Sequence, residues 1–110
     1  MSWAGNNYIS DPNEHSVVIY FNYGLEEDGP YWDLGMELEK ILRVNRLGVY
    51  DGHEIAMDNT DGSYYMYGPN AELIFKAIKP TLENVDFMKG ATAVLSFGRD
   101  ENAPVLEVEI

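Results

Sequence analysis

The chain of 110 residues contains no cysteine, which excludes disulfides, thiolate catalysis and cysteine-based metal sites. Long apolar runs are also missing. The longest, residues 17–21, is far shorter than the roughly 20 residues that cross a bilayer. Residues 1–15 hold no Lys or Arg and no apolar core, so they do not resemble a secretory signal. Together these absences predict a cytoplasmic protein that does not insert into membranes.

Basic residues are scarce. Seven Lys and Arg oppose 19 Asp and Glu, and the formal net charge is −12. Such a field repels phosphate backbones and anionic lipids, so nucleic acid and membrane surfaces are not expected partners. A basic protein would be attracted and would associate faster at low salt. The alternative is that the acidic surface serves solubility alone.

Hydrophobic periodicity predicts one α+β domain over residues 16–110, preceded by a polar amino-terminal arm, residues 1–15. The predicted strands cover residues 16–23, 49–57, 63–67, 91–97 and 105–110, and the predicted helices cover residues 30–45 and 70–79. Gly48 is the expected stop signal of the first helix, and Pro80 is expected to stop or kink the second. In the last strand Glu107 and Glu109 alternate outward from the apolar positions.

The order of these elements is strand, helix, strand, strand, helix, strand, strand. Its first six elements match the ferredoxin-like βαββαβ pattern, an antiparallel sheet with both helices packed on one face. The extra carboxy-terminal strand is expected to extend one edge of that sheet. The opposite face of the sheet would then remain open.

Three segments resemble a group of small, uncharacterised bacterial proteins of about this length. They are VYDGHEI (residues 49–55), YMYGPNA (residues 65–71) and the ending from Gly90 to Ile110. The resemblance implies a bacterial source. It carries no activity with it, because the shared residues are turn and strand residues.

Asp51, His53 and Glu54 are the residues that most invite an acid/base or metal reading. A metal site needs three or four convergent ligands, and His15, the second imidazole, belongs to the predicted arm. In a regular strand His53 and Glu54 also point to opposite faces. We therefore predict no catalytic residue, no metal and no cofactor. An enzyme using these three residues would require them to converge in one pocket.

Residues 58–62, DNTDG, carry the residue types of a calcium loop. The register is wrong, since such a loop has Gly at its sixth position and Glu at its twelfth. Asn, Asp and Gly also favour tight turns, so this segment is predicted to close a hairpin.

The open face is predicted to display Tyr20, Asn22, Tyr65 and Tyr67. Aromatic residues on the first and third strands form the base-stacking platform of RNA-recognition domains of this element order, but the missing basic residues argue against RNA. Tyrosine-rich patches with little charge are favoured at protein interfaces. The face could alternatively be a homodimer seam, or be covered by the arm.

A second candidate surface is acidic and comprises Glu26, Glu27, Asp28, Asp33 and Glu37. Asp33 and Glu37 lie four apart on a predicted helix and repel each other by about 0.2 to 0.5 kcal/mol. A basic partner would relieve this repulsion, whereas the simpler reading is a solvated face.

The leading hypothesis is a non-enzymatic bacterial protein-binding domain, in particular an acidic immunity protein that neutralises a basic toxin. The alternative is a small-molecule-binding or regulatory domain that dimerises through its open sheet face and holds a ligand between the two sheets. The first requires a basic partner, and the second requires self-association.

Overall fold

The computed structural model of the chain describes residues 14–110. The strands are β1 (His15–Asn22), β2 (Val49–Ile55), β3 (Asp61–Gly68), β4 (Thr92–Ser96) and β5 (Val105–Glu109). The helices are α1 (Gly29–Val44) and α2 (Ala71–Glu83), and a short 3₁₀ helix, Asp86–Met88, precedes β4. The predicted arm falls almost wholly on residues 1–13, outside the described residues. Its last residue, His15, begins β1 and accepts the N–H of Ala71 at 2.9 Å.

The five strands form one sheet in the order β2-β3-β1-β4-β5, and every neighbouring pair is antiparallel. This confirms the predicted α+β class. The first four strands have the ferredoxin-like order, with β5 added beside β4. The connection from β1 through α1 to β2 passes over β3, and the connection from β3 through α2 to β4 passes over β1. The two strands that each helix connects are therefore parallel to each other with one antiparallel strand between them.

The two helices pack on one face of the sheet, as predicted. Leu38 and Leu42 of α1 and Ile78 of α2 are fully buried against inward residues of the central strands, such as Ile19 and Met66. Their spacing of three or four residues places the helical side chains in one stripe, and alternate strand residues meet that stripe. None of the described helices is long and apolar enough to cross a membrane.

The end of α1 differs from the prediction. The left-handed residue is Arg46, with φ 54°, and the N–H of Leu47 donates to the carbonyl of Leu42 at 2.9 Å. This is the hydrogen-bond pattern of a Schellman cap. Gly48 serves a different purpose, because a Cβ there would lie 2.0 Å from the carbonyl oxygen of Tyr67. Gly48 therefore permits the close approach of β2 to β3.

The predicted stop at Pro80 is wrong, because α2 continues through it to Glu83. A proline inside a helix costs about 3 kcal/mol. Leu82, two residues later, is completely buried, and burial of a leucine contributes about 1.5–3 kcal/mol. Lys76, whose carbonyl loses its helical donor, is exposed and can be hydrated. Core packing thus offsets the local cost of the proline.

Strand β2 contains a β-bulge. Tyr50 pairs with Met66 and His53 pairs with Tyr64, so three steps along β2 correspond to two along β3. Gly52 lies within this interval and takes a φ of 103°. The extra residue breaks the usual alternation, so Tyr50 and His53 both face the helices instead of pointing to opposite faces.

Candidate functional site

The open face of the sheet is defined by the register of its three central strands. Tyr20 lies between Ser63 and Thr92, and Val18 lies between Tyr65 and Val94. Because their neighbours on either side along each strand point into the helical core, these residues face away from it. Tyr67, opposite Ser16, belongs to the same face. The open face therefore carries Tyr20, Tyr65 and Tyr67 on two neighbouring strands.

A chain of hydrogen bonds fixes part of this face. The hydroxyl of Ser63 donates to that of Tyr65 at 2.9 Å, and the hydroxyl of Tyr65 donates to Glu54 Oε1 at 2.5 Å. The bond to Glu54 is the main reason that the pKa of Tyr65 is raised. Tyr65 is thereby held in place before any partner arrives. Tyr20 is less restrained and is 49% exposed.

A shallow groove of about 590 Å³ crosses one end of the open face. Its lining includes Tyr20, Asn22, Glu54, Asp61, Ser63 and Thr92. Asn22 and Asp61 are directly opposite each other on β1 and β3. The groove is largely polar at its floor and rim, so it can accept donors such as the ammonium or guanidinium groups of a partner.

Charge is distributed unevenly over the molecule. None of the five strands contains Lys or Arg. Glu54 and Asp61 border the tyrosines on one side, and Glu107 and Glu109, opposite Val94 and Thr92, border them on the other.

Tyr67 and Arg99 mark the other end of this face. Burial raises the pKa of Tyr67, and the charge of nearby Asp51 adds to the effect. The positive charge of Arg99 lowers the pKa of the same hydroxyl, but Arg99 is itself paired with Glu14 at 2.8 Å. At the end near Tyr67 the Arg99–Glu14 pair cancels, and Asp51 is left as the acidic residue acting on the Tyr67 hydroxyl.

The second predicted surface does not join the first. Asp33 and Glu37 are exposed on α1, which covers the opposite side of the sheet. Glu26, Glu27 and Asp28 lie in the loop between β1 and α1 and are also exposed. The nine predicted partner-binding residues therefore form two surfaces on different sides of the molecule.

The loop before α1 is fixed in position by two contacts. The hydroxyl of Tyr23 donates to the carbonyl of Glu27, and Asn59 Nδ2 donates to the carbonyl of Leu25 at 3.1 Å. The first bond ties the loop to the end of β1, and the second joins it to the β2–β3 turn. They order its backbone and leave its carboxylates exposed.

Asp51, His53 and Glu54 do not converge. Glu54 bonds Tyr65 on the open face, whereas His53 faces the helices and lies 2.9 Å from the hydroxyl of Tyr50. Asp51 lies within the bulge and acts electrostatically on Tyr67. The three side chains thus belong to three separate environments and do not form one acid/base or metal site.

Residues 58–60 lie in the predicted hairpin turn, whereas Asp61 and Gly62, also assigned to the turn, begin β3. One carboxylate oxygen of Asp58 accepts both the N–H of Thr60 at 3.2 Å and its hydroxyl at 2.7 Å. These two bonds lower the pKa of Asp58. Within residues 14–110, no group of three or more His, Asp or Glu is placed to hold a metal ion.

Sequence reasoning missed the acidic borders of the open face. It placed Glu107 and Glu109 outward but did not connect them with the tyrosines. The last strand was expected to extend the sheet as a hairpin, but its register was not predicted. That register places Glu109 opposite Thr92 and Glu107 opposite Val94, on the face of Tyr20. The pairing of Glu54 with Tyr65 was likewise hidden, because the β2–β3 register depends on the bulge.

Comparison of the chain with known proteins identified no relative. No protein-family model matches the chain, and neither does a curated protein or a solved structure.

Proposed function

We propose that the protein is a non-enzymatic binding domain that docks a basic protein on the open face of its sheet. The observation that carries this proposal is the combination of three tyrosines with acidic borders on a sheet whose strands contain no Lys or Arg. A partner with a cationic surface would find both apolar contact area and compensating charge there.

The tyrosines supply the contact energy in this proposal. Tyrosine offers a large, rigid surface with a polar tip and is enriched among the residues that dominate binding. The hydrogen bonds of Tyr65 to Ser63 and Glu54 reduce the ordering cost on binding, because its ring is already held. Tyr20, which is 49% exposed, has the most accessible surface to bury.

Charge orients the encounter. Four of the seven basic residues lie on the two helices: Lys40 and Arg43 on α1, and Lys76 and Lys79 on α2. The same helices carry five acidic residues, so four basic and five acidic residues leave them with a formal charge of −1. The strands carry five acidic residues and no Lys or Arg, which makes the open face the more negative side. It would lead the approach to a cationic surface and raise the association rate at low salt.

The finer proposal is that the partner is a basic toxin, such as a nuclease, and that this chain is its immunity protein in a bacterium. A nuclease binds phosphates through a basic surface, and an acidic face can cover that surface. Small size and an excess of acid are consistent with this role. A toxin gene beside the gene for this chain is the expected genomic observation.

Self-association through the same face is the alternative partner. If two copies stacked on this face, the carboxylates of one copy would lie against those of the other. The strands contain no Lys or Arg that could pair with these acidic residues, which are Glu54, Asp61, Glu107 and Glu109. This repulsion disfavours a dimer at low salt. We expect light scattering to give the mass of a monomer, 12.5 kDa.

The decisive experiment uses the basic protein encoded beside this gene, in an inactivated form. Affinity is measured for the open-face variant Glu107→Lys/Glu109→Lys and for a matched control, Asp33→Lys/Glu37→Lys, which makes the same charge change on α1. We expect the open-face variant to lose about 100-fold in affinity and the control less than about tenfold. Tyr20→Ala is expected to lose at least about 30-fold, as an anchor at the centre of an interface does.

Two results would overturn the proposal. Equal losses in the two charge variants would show that overall charge, and not the open face, attracts the partner. Failure to bind that protein, together with pull-downs from the source cell that recover no basic partner, would reject the binding function itself.

A further inference from the structure

A second pocket, unrelated to the open face, lies on the other side of the sheet. It has a volume of about 350 Å³ and is bounded by the side of α1 and the edge strand β2. Trp32 and Met36 form its helical wall and are 52% and 64% exposed, whereas Tyr50 and His53 form its strand wall. Two large, half-exposed apolar side chains on one helix are thus arranged around a concave surface.

Two local features of the sequence create this pocket. Gly35 faces Tyr50, and a Cβ on it would lie 2.6 Å from the Tyr50 hydroxyl oxygen. The bulge at Gly52 turns His53 to the same face as Tyr50. A side chain at position 35 would collide with the Tyr50 phenol. Without the bulge, the His53 imidazole would point to the opposite face of the sheet. Bulges that re-aim a side chain in this way are common beside functional sites.

The two polar side chains of the strand wall, Tyr50 and His53, are neutral and incompletely paired. Burial lowers the pKa of His53 and raises the pKa of Tyr50 to about 12, so neither side chain is charged at pH 7. The Tyr50 hydroxyl lies 2.9 Å from His53 Nδ1 and donates to it when the imidazole proton is on Nε2. In that tautomer the Nε2–H of His53 is a donor with no hydrogen-bond partner among residues 14–110.

Aromatic rings enclose the imidazole. The rings of Trp32 and Tyr31 meet it edge to face, with centroids 4.5 and 5.1 Å away. The exposed part of Trp32 continues this aromatic wall into the pocket. Such a surface favours a flat, apolar ligand because planar rings pack against it in offset or edge-to-face contacts.

The rim of the pocket is cationic, in contrast to the rest of the molecule. Lys40 and Arg43 line it together with one carboxylate, Glu39, and Arg46 lines the adjoining cleft. Arg43 is paired with Glu39 at 3.1 Å, whereas Lys40 forms no ion pair with any described residue. In a chain with a net charge of −12, three of the seven basic residues gather here. The local charge complements an anion and opposes a cation.

We propose that this pocket binds a small planar aromatic molecule carrying one carboxylate. The ring packs between Trp32, Met36 and Tyr50, and the carboxylate accepts from the Nε2–H of His53 and from the Lys40 ammonium. The site does not depend on the proposed docking of a basic protein, since the two lie on opposite sides of the sheet. Either function can fail without the other.

The test is a titration of the full chain followed by two-dimensional amide NMR, with three probes of nearly equal shape: benzoate, benzamide and benzylamine. We expect benzoate to bind with a Kd on the order of 1 mM, as suits so small a ligand. Its shifts should centre on Trp32, Met36, Tyr50 and His53. Benzamide should bind about tenfold more weakly, and benzylamine more weakly still.

Variants with matched controls locate the site. Gly35→Ala should weaken benzoate at least about tenfold, whereas Gly29→Ala, whose added Cβ meets nothing within 4 Å, should not. Trp32→Ala should weaken it similarly, and Leu73→Ala, a change at a residue 50% exposed on α2, should have no effect. These exposed positions are tolerant of truncation, so the test remains valid even if Gly35→Ala unfolds the chain.

Three outcomes would overturn the proposal. Equal binding of benzamide and benzoate would show that the carboxylate of the ligand contributes nothing to recognition. Amide chemical-shift changes centred on the open face would show that benzoate binds there and not in this pocket. Unchanged binding in Trp32→Ala would show that the aromatic wall takes no part.

Discussion

Tyr64 and Tyr65 are neighbours on β3, yet they lie on opposite faces of the sheet and in opposite environments. Tyr64 is completely buried, stacks on Phe21 with ring centroids 5.1 Å apart, and donates a hydrogen bond to the carbonyl of Tyr31 at 2.7 Å. Tyr65 is half-buried and bonds only polar groups of the open face. The same residue type therefore stabilises the fold on one face and presents surface on the other.

The same contrast holds for charge. The helix-covered side carries most of the basic residues on its outer layer, while the strands of the open side carry only acidic ones. The buried core and the tyrosine-bearing open face are thus separated by the thickness of one sheet. Substitutions can therefore be chosen that affect one without the other.

The largest expected difference is between Tyr64→Ala and Tyr65→Ala. Removal of a completely buried aromatic side chain leaves a cavity and costs about 3–5 kcal/mol of unfolding free energy. Truncation of Tyr65 removes contacts on the half-exposed face and the hydrogen bonds to Ser63 and Glu54, and should cost about 1 kcal/mol. Urea denaturation of both variants measures the difference. Similar losses would mean that the open face is covered in the folded protein and that the two faces are not distinct.

A smaller effect is expected from removal of the hydroxyl groups alone. Tyr64→Phe should lose about 1–1.5 kcal/mol, because its buried hydrogen bond to the carbonyl of Tyr31 is lost. Tyr65→Phe should lose less than about 0.5 kcal/mol, because water can replace it at the exposed Glu54. Thermal unfolding monitored by circular dichroism measures the difference in stability between the two variants. A greater loss in Tyr65→Phe would contradict the division of roles.

The smallest effect concerns pH and His53 on the helix-covered side. Burial lowers the pKa of His53, so the unfolded chain binds more protons than the native one as pH falls through about 6.5. Stability from this group is complete above that pH and declines below it. Urea midpoints between pH 5 and 8 should therefore slope more in the wild type than in His53→Gln. His15 is present in both proteins, so an unchanged slope would exclude His53 as the source.

Much of the fold could be predicted because strand alternation and helical spacing are local properties of the sequence. Val17, Ile19 and Phe21 predicted the buried face of β1, and Leu34, Leu38 and Leu42 predicted the buried stripe of α1. The stop at Pro80 was wrong because burial of Leu82, a tertiary effect, outweighs a local preference. The stop at Gly48 was misplaced because Arg46 adopts the left-handed conformation itself.

The sites were less predictable, since they depend on register. Tyr20, Tyr65 and Tyr67 could be assigned to one face by alternation alone. The pocket beside α1 could not, because alternation assigns Tyr50 and His53 to opposite faces and gives no sign that Gly35 lies beneath Tyr50. One signal was present in the sequence: an isolated glycine within a strand, Gly52, indicates a bulge.

The two outer strands determine whether the sheet can grow by addition of further chains. On β2 the bulge interrupts the row of free backbone groups, and on β5 the side chains of Glu107 and Glu109 stand beside that row. Two β5 strands brought together edge to edge would place these carboxylates in apposition, which opposes the first step of fibre formation. Substitution of both glutamates, as in Glu107→Gln/Glu109→Gln, removes this charge barrier from β5. Fibrils of that variant should therefore begin at the carboxy-terminal strand.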